Sequence, residues 1–191
     1  VNFCPKIEKK LVCNSRKDKK LKIGFMASNN PLNRFGINEF IKFLSEFDCQ
    51  SIELHLAGLI SDSINLKYDW IIKKGILTEK QIPEFYNSLD IVVNPMQSNS
   101  TGLKIKTVMA IINGLPIIGT KDAFTGMKIT SKWHLIDNIE NLAKEIYSIS
   151  LNKKLIEGIK KASEKLGQDF TRQSEIQINN LILEIKKEIN L

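Results

Sequence analysis

Asn94-Pro-Met-Gln-Ser-Asn-Ser-Thr-Gly-Leu-Lys-Ile-Lys-Thr-Val-Met-Ala-Ile-Ile-Asn-Gly-Leu-Pro-Ile-Ile-Gly-Thr120 is the stretch on which the fold turns. Ahead of it, Ile91-Val-Val is a short β-branched run closed by Pro95, the pattern of a buried strand ending at a turn. Residues 97–102 are small and polar, a loop composition. Ile105, Val108, Met109 and Ile112 then recur at helical spacing and predict an apolar stripe lying on a sheet. Ser100 or Thr101 is placed to cap that helix, Gly114 to end it in a left-handed residue, and Pro116 to prevent its continuation. Pro116-Ile-Ile-Gly-Thr120 returns as a second buried strand.

A polar loop running from the carboxyl end of a parallel strand into a helix presents free N–H groups and the positive end of the helix dipole, which together favour an anion. The dipole alone supplies only ~0.3–1 kcal/mol at an exposed site, too little to hold a diphosphate. Lys104 and Lys106, expected in the first turn, would add the missing charge. Cations there oppose the helix dipole, a local conflict of the kind that marks binding sites. The plainer reading is two solvated lysines in a lysine-rich chain, and this stretch alone leaves both readings open.

The 191 residues suffice for one domain with a true core or two small ones, and 42% hydrophobic with 26% charged residues is ordinary for a globular protein. The net charge of +7 is carried almost wholly by lysine, since Arg16, Arg34 and Arg172 are the only arginines. Nucleic-acid readers lean on arginine with interleaved aromatics, so no nucleic-acid partner is expected. The charge reads as solvation, with peripheral attraction to an anionic membrane surface as a further expectation. Cys4, Cys13 and Cys49 form neither a disulfide framework nor a zinc motif, and two histidines, His55 and His134, do not build a metal centre. The expected setting is reducing and cytoplasmic. No apolar run approaches the ~20 residues that span a bilayer, and no signal peptide is read.

In chain order, structure starts at Leu21-Lys-Ile-Gly-Phe-Met-Ala27, a strand, followed by a turn-rich loop over residues 28–36. A helix follows with Ile37, Phe40, Ile41 and Leu44 on one face. Ile52-Glu-Leu-His-Leu-Ala-Gly58 and Trp70-Ile-Ile-Lys-Lys-Gly75 are strands, and residues 80–89 a short helix. After residue 120 come a loop at 123–127, a possible edge segment at 131–135, and three helical patterns marked by Ile139–Ile149, Leu155–Leu166 and Ile178–Ile189. The alternation predicts an α/β, Rossmann-like parallel sheet with helices on both faces and a helical C-terminal extension. Ligands in such sheets sit beyond the carboxyl ends of the strands, where the loops at 28–36, after Gly58, and at 97–102 meet. The Gly-x-Gly-x-x-Gly fingerprint of dinucleotide enzymes is absent.

Over residues 21–170 this order resembles the C-terminal, donor-binding half of a GT-B glycosyltransferase, group 1 and family 4-like. The resemblance rests on Lys22-Ile-Gly-Phe with Asn33 and Gly36, on Ile52-Glu-Leu-His-Leu-Ala-Gly58, and on Gly75-Ile-Leu with Phe85-Tyr86. It continues through Leu89-Asp-Ile-Val-Val-Asn-Pro95, Gly102-Leu-Lys-Ile-Lys-Thr-Val-Met-Ala110, Gly114-Leu-Pro-Ile-Ile-Gly-Thr120 and Gly126-Met. Val1-Asn-Phe-Cys-Pro5 looks like the last strand of a partner domain. The implied organisation is a tail or linker at 1–20 from a missing N-terminal domain, a nucleotide-sugar-binding domain at 21–170, and a C-terminal helix at 171–191.

The resemblance implies transfer of a sugar from a UDP- or GDP-sugar donor to an acceptor held by the missing N-terminal domain, with no cofactor and no metal. It implies that Ser28 and the amides of Ser100, Thr101, Gly102 and Leu103 meet the donor sugar and diphosphate. Ile76 would receive the base through main-chain contacts. Lys104 would add charge beside the diphosphate, Lys106 would act catalytically on the leaving group, and Arg34, one residue from a basic position of many members, would join it. Where many retaining members carry two glutamates, this chain has Asn99 and Thr107, able to bond a sugar hydroxyl and a ribose. A subgroup with a Gly-x-Lys-x-Lys-like helix start looks closer. The alternatives are a non-catalytic nucleotide- or sugar-binding module and a sugar-nucleotide epimerase of the same fold. Alone, with half the cleft absent, the chain is expected not to turn over. His55 reads as structural, His134 as a surface residue, Asp90 as a strand start and Asp122 as bordering the cleft.

Overall fold

The structure, a computed structural model, describes residues 20–97 and 102–189. Five parallel strands, β1 (Leu21–Met26), β2 (Ile52–Ala57), β3 (Ile71–Gly75), β4 (Ile91–Asn94) and β5 (Ile117–Gly119), form one sheet in the order β3-β2-β1-β4-β5. The chain winds outward from β1 in one direction and then returns to build in the other. The reversal leaves a crevice between the carboxyl ends of β1 and β4.

Alternation along the strands divides the apolar residues into two cores. Leu21, Ile23, Phe25, Ile91, Val93 and Ile118 pack beneath α1 (Pro31–Leu44), α2 (Ile60–Ser63) and, further along the chain, Ile139–Leu151. Ala57, Val92 and Ile117 pack on the opposite face against α3 (Gln81–Asn87) and α4 (Ile105–Ile112). The Ile139–Leu151 helix is α5, and α6 runs over Leu155–Ile189. α6 serves both cores, through Ile156 and Ile159 in the first and Leu166 in the second. β5 is a three-residue edge, extended only by a parallel bridge from Thr120 to Ile136. β3, the other edge, exposes Lys73 and Lys74. Among the described residues no helix is long and apolar enough to cross a membrane.

Several local expectations are corrected. Residues 31–36 are not loop: α1 begins at Pro31, with Asn30 as N-cap accepting from the Asn33 N–H at 2.9 Å. Asparagine followed by proline is itself a helix-start signal. In α4 the buried face is Thr107, Ala110 and Ile111, while Ile105 is 75% exposed and Val108, Met109 and Ile112 are half-buried. The cause is α6, whose Leu166 and Gly167 meet Ile111 and rotate the helix away from the stripe the periodicity predicts. Lys104 is the N-cap of α4 and makes no side-chain cap bond, and Ser100 and Thr101 lie outside the described residues. Gly114 does follow the C-cap with φ +65°.

The two last helical patterns are one helix of 35 residues. Residues 167–177 between the two patterns contain no proline, and the helix continues through them. The segment at 131–135 is a 3-10 turn over Lys132–His134 rather than an edge strand, and Lys121–Phe124 is another such turn. Cys4, Cys13 and residues 1–5 lie outside the described residues. Cys49 is a buried free thiol, pushed up to about 11 by burial and then by Asp48.

Candidate functional site

Both helices that flank the crevice point their N-termini into it, α1 after β1 and α4 after β4. Their close approach is set by backbone packing. Gly36 on α1 lies against the Pro95 carbonyl, and a Cβ built there would stand 2.2 Å from that oxygen. Gly36→Ala is expected to destabilise the chain by about 1–3 kcal/mol, because backbone must move to admit the methyl. A urea melt checks this, and an unchanged midpoint would refute the packing of α1 on the end of β4.

The floor of the crevice is polar and locked. The fully buried Asn94 donates from Nδ2 to the Thr107 hydroxyl at 3.0 Å, and that hydroxyl donates to the Ala123 carbonyl at 2.6 Å. The Thr120 hydroxyl donates to the Met96 carbonyl. Thr107, expected to bond a ribose, is fully buried, and its hydroxyl ties α4 to the β5 side of the sheet. Asn94 Oδ1 is a buried acceptor with no partner among the described residues.

Lys106 crosses the crevice. Its ammonium donates to Asn33 Oδ1 on α1 at 2.7 Å and lies 5.7 Å from the centre of the Phe25 ring on β1. Burial, and then the like charge of Lys104, lower its pKa to about 8. Lys104 is itself buried, with Nζ donating to the Gly102 carbonyl at 3.0 Å. No carboxylate lies within ion-pair distance of Lys106 among the described residues, so at this helix start its ammonium is held by a neutral acceptor in a half-dry site.

The other sequence-predicted residues distribute as follows. Ser28 lies at the mouth, its hydroxyl accepting from Asn33 Nδ2 at 3.3 Å. Arg34 is exposed on the first turns of α1 and donates to Asn29 Oδ1 at 3.1 Å. Gly102 has φ +97° and is exposed with Leu103, and Ile76 stands exposed just beyond β3. Asn99, Ser100 and Thr101 lie outside the described residues. Asp90 directly precedes β4, its carboxylate accepting from the Lys22 N–H at 2.9 Å. His55 is buried in β2, 3.2 Å from the Glu53 carboxylate, with its pKa lowered chiefly by burial. His134 is not a surface residue: it is 1% exposed and packs on Phe124 with ring centres 4.5 Å apart. Asn33 and Asn94 are the residues that sequence reasoning passed over as parts of the site. The Asn-Pro start of α1 could have exposed the first, whereas nothing local marks the second. Among the described residues no group of three His, Cys, Asp or Glu is placed to hold a metal.

A parallel sheet of this order, with two helix starts and paired lysines at its reversal point, defines a nucleotide-type Rossmann-like domain. The family model for glycosyl transferases group 1 matches residues 20–152, and the chain belongs to that family. No curated protein sequence matches it. Among solved structures it is similar to HepE of Anabaena in complex with UDP, at 15% identity and TM-score 0.66, covering 87% of this chain and 49% of that one. It is also similar to S. aureus TarM solved with Fondaparinux, alpha-GlcNAc-glycerol and UDP, at 18% identity and TM-score 0.64, covering 90% of this chain and 38% of that one. A third likeness is to the C-terminal domain of the group 1 family protein LpcC of Francisella tularensis, at 18% identity and TM-score 0.60, covering 78% of this chain and 84% of that domain. The chain thus spans half or less of HepE and TarM.

Proposed function

We propose that this chain is the donor half of a glycosyltransferase, binding a UDP- or GDP-sugar in the crevice between β1 and β4 for transfer to an acceptor held by a second domain. The observation that carries the reading is Lys106, a desolvated ammonium bridging the two helix starts at the sheet's reversal point. Departure of a nucleoside diphosphate builds negative charge, and a preorganised cation in a half-dry site stabilises it more than one in water. In this reading Lys106 and Arg34 act on the diphosphate and Lys104 adds field. Ser28 and the segment Asn99–Leu103, with Gly102 giving the chain its close approach, meet the donor, and Ile76 lies beside the base. No metal is required, because the lysines do the neutralising. Peripheral membrane contact on the cytoplasmic face and dependence on the second domain for turnover belong to the same proposal.

UDP appears in the complexes of HepE and TarM, which makes it the first ligand to try. Calorimetric titration with UDP, GDP and their sugars is expected to show binding in the micromolar to millimolar range. Gly102→Val, which forces a branched residue into φ +97°, should abolish it. Absence of binding by any of these nucleotides at millimolar concentration would refute the donor site. The inward-turned hydroxyl of Thr107 favours a second reading, a binding module without turnover. Nucleotide binding with no sugar transfer or donor hydrolysis by the full two-domain protein would select it.

A further inference from the structure

Asn33 is 95% buried yet polar, and every polar atom of its side chain is engaged. Its Nδ2 donates to the Ser28 carbonyl at 2.9 Å and lies 3.3 Å from the Ser28 hydroxyl, which turns Oδ1 toward Lys106. Its own N–H is held by the Asn30 cap, so the residue is fixed at the backbone as well as along the side chain. A carboxamide with one end committed to a carbonyl cannot flip without losing both bonds.

We infer that Asn33 is a positioning residue: its carboxamide, clamped by Ser28, sets the Lys106 ammonium in the crevice where a diphosphate would meet it. This rests on the reading of the crevice as a donor site. Lysine is a flexible point charge on a four-carbon stem, and without an acceptor its ammonium turns to solvent. The Phe25 ring limits it on the β1 side. Lys104 on its own element repels it and Arg34 is a further cation on α1, whereas the neutral Asn33 Oδ1 accepts from the ammonium and, with the Phe25 ring, favours its charged form. An aspartate at this position would neutralise the lysine and compete with phosphate, whereas the amide holds the cation and leaves its charge available.

The test follows the Lys106 side-chain carbon resonance through a pH titration of the ligand-free chain labelled with ¹³C-lysine, the signal being assigned with Lys106→Arg. UDP affinity is measured beside it. Asn33→Ala is expected to lower the Lys106 midpoint and to weaken UDP binding about tenfold at pH 7. Asn33→Asp is expected to raise the midpoint, because a carboxylate now faces the ammonium, and still to weaken UDP binding. That second variant nearly keeps the shape and serves if Asn33→Ala does not fold. A merely structural asparagine would change stability and leave the midpoint in place, and an unmoved midpoint in either variant overturns the inference. If the midpoints move as expected but the unmodified chain binds no UDP, the donor reading falls while the coupling of Asn33 to Lys106 stands.

Discussion

Lys106→Met is expected to weaken UDP binding by roughly 30- to 150-fold and to make the ligand-free chain more stable. The loss follows from removing a charged hydrogen-bond donor, worth about 2–3 kcal/mol to an anionic partner. The gain follows from the lowering of the Lys106 pKa from 10.5 to about 8, caused first by burial and then by Lys104. Keeping the ammonium charged at neutral pH then costs up to about 3 kcal/mol, which methionine of similar length does not incur, and about 1–2 kcal/mol of that gain is offset because Asn33 Oδ1 loses its donor. The sign with pH is fixed. The penalty is present in full below pH 8, fades as pH rises from 8 toward 10.5, and the advantage of Lys106→Met shrinks over the same window. UDP binding should run the other way, declining as pH rises through 8 as the unliganded lysine loses its proton. Near pH 8 binding should take up protons, visible as a calorimetric enthalpy that changes with the buffer. A variant less stable than the parent, together with full UDP affinity, would remove Lys106 from the site.

Acid is expected to unfold the chain in a window set by His134. Its imidazole is buried against Phe124, and burial lowers its pKa to about 4, with a hydrogen bond to the Ile117 main chain pulling weakly the other way. The unfolded chain takes up this proton near pH 6.5 and the folded chain does not until about 4. Stability from this group is therefore constant above pH 6.5 and falls as pH drops, by about 3 kcal/mol in all and mostly by pH 4.5. His55, also lowered by burial, acts in the same direction. Urea melts at pH 7.5 and 4.5 check the expectation. His134→Phe keeps a ring on Phe124 and should remove most of the difference between the two pH values, and an equal loss in both proteins would exonerate His134.

The sheet was legible because β4 and β5 are short β-branched runs, the other strands are short and carry isoleucine, and the alternation of strand and helix leaves few topologies open. Lys104 and Lys106 were legible because cations at a helix start oppose local propensity. What was hidden depends on neighbours distant in sequence. The rotation of α4 is imposed by Leu166 and Gly167 of α6, which no window around Ile105 contains. Burial of His134 needs Phe124 and Ile117 brought beside it by the turn over Lys132–His134. The bond of Lys106 to Asn33 spans 73 positions and exists only because β1 and β4 are adjacent. The start of α1 was different: Asn30-Pro31 carried the signal locally, and the glycine and polar residues around it masked it.

The two borders of the sheet bear on how the protein behaves when concentrated. β5 is three residues long and β3 carries Lys73 and Lys74 outward, with the Lys73 ammonium also donating to the Ile64 carbonyl. Neither offers the long, flat, uncharged ribbon onto which a strand from another molecule docks, so runaway stacking into fibrils lacks a template at either end.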